Sequence, residues 1–187
     1  TSGYGHAGLE HNKTDDSGTL TITDNNNDGK LTANGGGRGA GIGGSDKQDG
    51  QATITGGKIT ATGGNGAAGI GGGLDGNGTV IITGGDITAK ARGDYGAGIG
   101  GGCGEIPKPS DTLIGGNGTV TISGGTITEA SGGYMAAGIG SGLQGLGTVT
   151  IEGDAVIKNA QGGGAGAGIG SGTYGDSEII IRGECSH

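Results

Sequence analysis

Four groups of side chains in this sequence have types and spacings that can do chemistry. In Asp24-Asn25-Asn26-Asn27-Asp28-Gly29, the residues Asp24, Asn26 and Asp28 place an oxygen donor at every second position, and Gly29 permits a sharp turn. Such a run suits calcium, a hard cation that takes about six to eight oxygen ligands. Water, the carbonyls of Lys30 or Thr32, or the nearby Asp15 and Asp16 would complete the shell. The second group is a rank of hydroxyls at alternating positions: Thr19, Thr21, Thr23, Thr53, Thr55, Thr79, Thr83, Thr119, Thr121, Ser123, Thr148 and Thr150. The third is the set of four tyrosines, Tyr4, Tyr95, Tyr134 and Tyr174, in a chain with no Phe or Trp. Their rings can stack on apolar faces of a ligand, sugars included. The fourth, His6, Glu10 and His11, reads as polar surface rather than as a metal or acid–base site.

Catalytic chemistry is harder to assemble. Asp46, Asp49, Asp75, Asp94, Asp111 and Asp176 are scattered over loop segments, and no two carboxylates fall at neighbouring outward positions of successive repeats. No Gly-X-Ser-X-Gly nucleophile motif is present, and no Lys-Ser or Lys-Thr follows the glycine-rich stretches as a phosphate loop requires. The Asp24 run resembles the first half of an EF-hand loop, but its twelfth position is Gly35 instead of a bidentate Glu. An Asx-rich turn that holds its own backbone is the competing reading.

The elements that position these residues are repeats. Ala-Gly-Ile-Gly recurs at Ala40, Ala68, Ala97, Ala137 and Ala167, with a degenerate copy at Ala7, at spacings of 33, 28, 29, 40 and 30 residues. The long interval contains an insertion at about 103–115. A fixed period of this size is the signature of a stacked array. Each repeat holds three short segments. The first is the Ala-Gly-Ile-Gly box. The second alternates polar and β-branched residues, as in Thr119-Val120-Thr121-Ile122, and the third is shorter, as in Asp86-Ile87-Thr88-Ala89. Alternation of this kind is a strand signal.

Composition agrees with a slim coil. The 187 residues include 55 glycines but only two prolines, without a Gly-X-Y period, which excludes collagen. A polyproline II bundle would need glycine at every third residue and no Thr-Val-Thr-Ile alternation. The expected fold is therefore all-β: one domain over residues 1–187, a parallel β-helix solenoid of about six turns of three short strands. Such a rod is about 29 Å long at the spacing of paired strands; its hand is not encoded in the residues, and a right-handed coil is expected in keeping with crossover chirality. Ile42, Ile70, Ile99, Ile139 and Ile169 are expected to form one inner ladder. A second comprises Ile22, Ile54, Ile82, Ile122, Ile151 and Ile181, and a third Leu31, Ile59, Ile87 and Ile127.

The net charge of -8, with no run of Lys and Arg, lacks the electrostatic footprint of a nucleic-acid binder. No apolar run approaches the roughly 20 residues that span a bilayer, so membrane insertion is not expected. No signal peptide opens the sequence, which is also how a mature secreted segment reads. The two cysteines, Cys103 and Cys185, are compatible with a bridge or with two thiols.

The stretches Ala-Gly-Ile-Gly-Gly-Gly, Gly-Asn-Gly-Thr-Val-Thr-Ile-Ser-Gly-Gly and Thr-Ile-Thr-Ala resemble the glycine-rich repeat regions of large surface proteins of Gram-positive bacteria, described as carbohydrate-binding or adhesin-like β-helices. The resemblance implies a non-catalytic module, extracellular or on a bacterial cell surface, that contacts glycan or polysaccharide as an adhesive or structural repeat. Tyr95 and Tyr134 lie just before a box and Tyr174 just after one, which makes them the expected contacts along one edge. The threonine rank, with Thr53, Thr55, Thr121 and Thr150 as its candidates, also resembles the arrays of insect-type and bacterial ice-binding proteins, so ice binding is the alternative. A polysaccharide lyase or hydrolase is a distant third that rests on fold analogy alone. Joining His187 to Thr1 would continue the period, with Glu184-Cys185-Ser186 in place of Asp86-Ile87-Thr88, so end-to-end stacking of copies is a further expectation.

Overall fold

The computed structural model describes residues 2–14, 18–103 and 116–183. Asp15, Asp16, Asp111, Cys185 and the Glu184-Cys185-Ser186 segment lie outside the described residues, as does the insertion beyond Cys103. Every ladder between strands is parallel, and no helix of the described residues is long and apolar enough to cross a membrane.

The chain winds through three faces in a constant order. The first turn is β1 (Leu9–Glu10), β2 (Thr21–Ile22) and β3 (Lys30–Asn34), and the second is β4 (Ile42–Gly43), β5 (Gly50–Ile54) and β6 (Lys58–Asn65). The third is β7 (Ile70–Gly71), β8 (Gly78–Ile82) and β9 (Asp86–Arg92), and the fourth is β10 (Ile99–Gly100), β11 (Gly118–Ile122) and β12 (Thr126–Ser131). In the fifth, β13 (Ile139–Gly140) and β14 (Gly147–Ile151) are followed by a broken third face, β15 (Val156–Ile157) and β16 (Ala160–Gln161). The last described strands are β17 (Ile169–Gly170) and β18 (Ser177–Ile181). Equivalent strands stack into three sheets: A through the boxes, B through the alternating segments, and C through the third segments. The described coil is thus five full turns plus two faces of a sixth, rather than six, because the sixth third-face segment lies outside the described residues.

Register follows the repeat and builds the core. Ile42, Ile70, Ile99, Ile139 and Ile169 pair in one ladder, which Leu9 extends. Ile22, Ile54, Ile82, Ile122, Ile151 and Ile181 pair in the second. Leu31, Ile59, Ile87, Ile127 and Ile157 pair in the third. Ile54, Ile70, Ile87 and Ile99 are fully buried, and each such side chain contributes about 1.5–3 kcal/mol of burial. On sheet B the remaining inward column is Ala52, Val80, Val120, Val149 and Ile179; on sheet C it is Ala33, Ala61, Ala89, Ala130 and Ala160. Small residues facing isoleucines keep the coil narrow. In β18 the same columns open, with Ile179 43% and Ile181 69% exposed, since no further described turn packs on them.

Two local departures from the simple repeat stand out. The box is a pinched loop instead of a straight strand. The alanine N–H donates to a carbonyl four residues on, from Ala40 to Gly44 (2.9 Å), Ala97 to Gly101 (3.0 Å) and Ala137 to Ser141 (3.1 Å), so only Ile-Gly joins the ladder. This brings the corners on either side of sheet A together outside the coil. There a second apolar cluster forms from Leu74, Cys103 and Leu143, with Tyr95 and Met135 packed on it. The other departure is in β12, where the register shifts between Ile127 and Glu129 so that Ala130, not Glu129, pairs with Ala89. The bulge at Thr128 turns a charged residue away from a column that is alanine in the other turns.

Candidate functional site

Sheet B sends alternate residues outward, and its register turns the threonines into columns. One column is Gln51, Thr79, Thr119, Thr148 and Glu178, and the next is Thr21, Thr53, Ile81, Thr121, Thr150 and Ile180. Thr119, Thr121, Thr148 and Thr150 form an uninterrupted block, with about 4.8 Å between strands and about 6.8 Å along each strand. Of the expected contacts, Thr53, Thr121 and Thr150 share one column. Thr55 belongs to a third, with Thr83, Ser123, Glu152 and Arg182, set by backbone bonds such as Ser123 N to Ile82 O at 2.9 Å. The Thr55 hydroxyl turns back to the Ile22 carbonyl (3.4 Å). Ile81 and Ile180 break the hydroxyl pattern, and the third column ends in a Glu152–Arg182 pair at 3.5 Å. That pair, with Ser123, Gly153 and Gly183, lines a cavity of about 340 Å³.

The tyrosines divide into two kinds. Tyr95 is half-buried in the cluster with Met135, Leu74, Cys103 and Leu143, so its ring serves packing. Tyr4, Tyr134 and Tyr174 are 72%, 57% and 82% exposed. Tyr4 and Tyr134 each lie on a glycine of the next turn: a Cβ on Gly37 or Gly164 would come within 2.5 Å of the ring. Arg38 stands over the Tyr4 ring at 5.9 Å. Both rings cover backbone glycines while staying largely exposed.

The Asp24 loop is tied to itself. Asp24 Oδ2 accepts from Gly29 N (2.7 Å) and Oδ1 from Asn26 N (3.3 Å), while Asn27 Oδ1 accepts from Gly57 N in the next turn (3.0 Å). Asn27 itself takes a left-handed φ of 55°. This is an Asx turn, in which the Asp24 carboxylate is engaged with N–H donors. Asn26 and Asp28 are exposed. No group of three His, Cys, Asp or Glu side chains among the described residues converges on a metal-sized site.

Other acidic residues are also built into the fold. His6 Nδ1 meets Glu10 Oε2 at 2.9 Å and Asn12 Nδ2 donates to Glu10 Oε1 at 3.0 Å. Asp46 faces Arg38 at 3.7 Å. Asp49 accepts from Asn77 N (2.7 Å) and Asn77 Nδ2 (3.3 Å), Asn77 Oδ1 accepts from Asn117 N (2.8 Å), and Asn117 Oδ1 accepts from Leu146 N (2.8 Å). This Asx ladder stitches four turns along the corner between sheets A and B. Its signal in the sequence was the Asn of Gly-Asn-Gly, repeated before the second segment. Beside it the same corner carries Lys47, Asp75, Gln144 and Tyr174, all with left-handed φ near 60°. Of these, only Tyr174 stood out in the sequence, because the position has no common residue type. The Cys103 thiol is buried, and burial, with the Asp75 charge adding, pushes its pKa up to about 12. It is a packing residue rather than a ready nucleophile.

Comparison with protein families agrees with this geometry. The family model described as Beta helix repeat matches residues 26–46, 53–74, 80–103 and 120–143, and each stretch takes in a sheet C strand and the following box. The fold is that of a β-helix repeat. The matched stretches take in Thr53, Thr55, Thr83, Thr121 and Ser123 of the hydroxyl columns and leave out Thr21, Thr79, Thr119, Thr148 and Thr150. Comparison with curated proteins and with solved structures gives no match.

Proposed function

We propose that this β-helix is a non-catalytic, extracellular recognition module whose side-chain columns contact an extended glycan. The observation that carries the reading is the in-register surface of sheet B, whose hydroxyl columns repeat at the spacing of the turns, together with three exposed tyrosine rings, Tyr4, Tyr134 and Tyr174, in the corners that flank sheet A. Hydroxyls exchange hydrogen bonds with sugar hydroxyls, and exposed rings stack on pyranose faces. The carboxylates speak against catalysis, because Asp24, Asp46, Asp49 and Glu10 are engaged in holding turns, ladders or ion pairs. A polysaccharide array probed with the wild-type protein and with Tyr134→Ala tests the reading. Binding weakened by Tyr134→Ala is expected, and an array without a single hit would defeat it.

The Thr119, Thr121, Thr148 and Thr150 block favours a second reading, ice binding, since it presents hydroxyls on a flat lattice. Thermal hysteresis with shaped ice crystals would promote it above glycan binding. The exposed Ile81 and the charged end of the third column count against it.

A further inference from the structure

We infer that the outward face of sheet C, over the first three turns, is a second binding face of this β-helix and takes an acidic polysaccharide. It goes beyond the glycan reading above, because it uses other residues and stands without sheet B.

Register supplies the first argument. Lys30 pairs with Lys58 across β3 and β6, so two exposed cationic side chains leave the sheet in one column, about 4.8 Å apart at the backbone. Like charges directly opposite each other destabilise a sheet. The same column reads Asp86, Thr126 and Val156 in the later turns, so the position does not itself require a cation. Among the described residues neither ammonium group has an ion pair or a hydrogen bond. Asp86 follows Lys58 in the column and Asp28 precedes Lys30 by two residues, yet neither carboxylate pairs with them. On the same face Lys90 does find a partner, Glu129 at 2.8 Å. Two like charges held in register, without a carboxylate of the described residues on either, fit an anion from outside the chain.

The neighbouring columns supply the second argument. Thr32 pairs with Thr60 and Asn34 with Thr62, so the outward residues of these paired segments are lysines, threonines and asparagine, with no carboxylate. Farther along, β6 ends at the exposed Asn65, which pairs with Arg92 of β9. Arg92 is exposed and likewise without a partner among the described residues; Asp94 lies beyond it in the following corner. A ligand lying along β6 therefore meets Lys58, Thr60 and Thr62 and reaches Arg92, a path of about 20 Å. A small anion can touch one end of that path, whereas a chain molecule touches both.

Chemistry selects the chain. Ammonium groups are compact charges with three donors and take single anionic groups, while the threonine hydroxyls between the cations exchange hydrogen bonds with sugar hydroxyls. No aromatic side chain stands on β3, β6 or β9, so the face offers no stacking platform for nucleic-acid bases.

Affinity electrophoresis in gels carrying polygalacturonate tests the face, with dextran as the neutral control and single-stranded polythymidylate as a polyanion of another class. Polygalacturonate is expected to retard the wild type, less so as salt is raised. Lys30→Gln with Lys58→Gln is expected to weaken that binding roughly tenfold, as the loss of two exposed charge contacts gives, and to leave the melting temperature unchanged or higher. Lys30→Arg with Lys58→Arg keeps both charges and should keep the binding. A wild type that polygalacturonate does not retard, wild-type affinity in the glutamine variant, or loss of binding in the arginine variant overturns the inference. A glutamine variant that melts several degrees lower marks the lysines as structural and overturns it too. Tighter binding to polythymidylate than to polygalacturonate assigns the face to nucleic acid instead, and equal retardation by dextran overturns it while supporting the glycan reading.

Discussion

Replacing Gly100 by alanine asks the stack to hold one methyl group where two turns touch. Gly100 has a φ of 129°, and a Cβ built there falls far inside the 3.0 Å that real Cβ contacts respect, against the Gly140 carbonyl oxygen of the next turn. That oxygen accepts the Gly101 N–H at 3.0 Å, and one step back Ile99 N bonds to Gly138 O at 2.9 Å. To admit the methyl group the turns must part by on the order of 1 Å, which forfeits much of the contact between them. Three terms set the cost. A side chain at this φ costs about 1–3 kcal/mol, two weakened backbone bonds cost about 1 kcal/mol each, and loosened packing of the buried Ile99 adds up to about 1 kcal/mol. The total is roughly 3–6 kcal/mol, and at about 2–4 °C per kcal/mol for a chain of this size the melting temperature falls by roughly 6–24 °C. Far-UV circular dichroism melts measure it, with Gly183→Ala as comparator, since a Cβ there meets nothing within 4 Å. The comparator should stay within about 0.5 kcal/mol of wild type. A Gly100→Ala protein that melts within about 2 °C of wild type, less than 1 kcal/mol on that scale, would show that the turns are not in close contact and refute the reasoning.

Three further outcomes are expected. In a Cys185→Ser background, the Cys103 thiol should react with alkylating reagents at pH 8 far more slowly in the native than in the denatured protein. Its folded pKa, near 12, lies above the unfolded value of about 9.0, so its contribution to stability is complete below pH 9 and is lost as the pH rises toward 12; a native thiol that reacts as fast as the denatured one contradicts the burial. Asp24→Ala should lower stability by about 1 kcal/mol through loss of the bonds to Gly29 and Asn26, equally with and without calcium; a melting temperature that calcium raises only in the wild type would instead support calcium at this loop. Thr121→Leu should leave stability within about 0.5 kcal/mol, because the residue faces outward, and it should abolish thermal hysteresis if the hydroxyl block orders ice; hysteresis retained in the variant would locate it elsewhere.

The inner ladders were legible in the sequence because isoleucine recurs at one period and each strand pairs with its own counterpart a turn away. Ile42 could be matched with Ile70 and Ile99 without coordinates. The pinched shape of the box was not legible, since the bond from Ala40 to the Gly44 carbonyl uses backbone atoms that every sequence has. The role of Tyr95 was hidden for a related reason. It precedes a box just as Tyr134 does, but Tyr95 packs with Leu74 and Cys103 whereas Tyr134 is left on the surface over Gly164. Neighbours in space, not in sequence, decide which ring is left to solvent.

Sequence alone determined the all-β class, the three faces per turn, the ladders of Ile and Leu and the placing of threonine outside, all of which follow from periodicity and from the alternation of a strand. Tertiary structure decided the properties that depend on which turn meets which. It set the bulge that carries Glu129 past the alanine column, closed the Asp24 carboxylate on its own loop, and linked Asp49, Asn77 and Asn117 into one ladder. It also brought Lys47, Asp75, Gln144 and Tyr174, which share no residue type, to one strained corner. Their common property is a backbone angle, and an angle is set by stacking the turns, not by the letters of any one repeat.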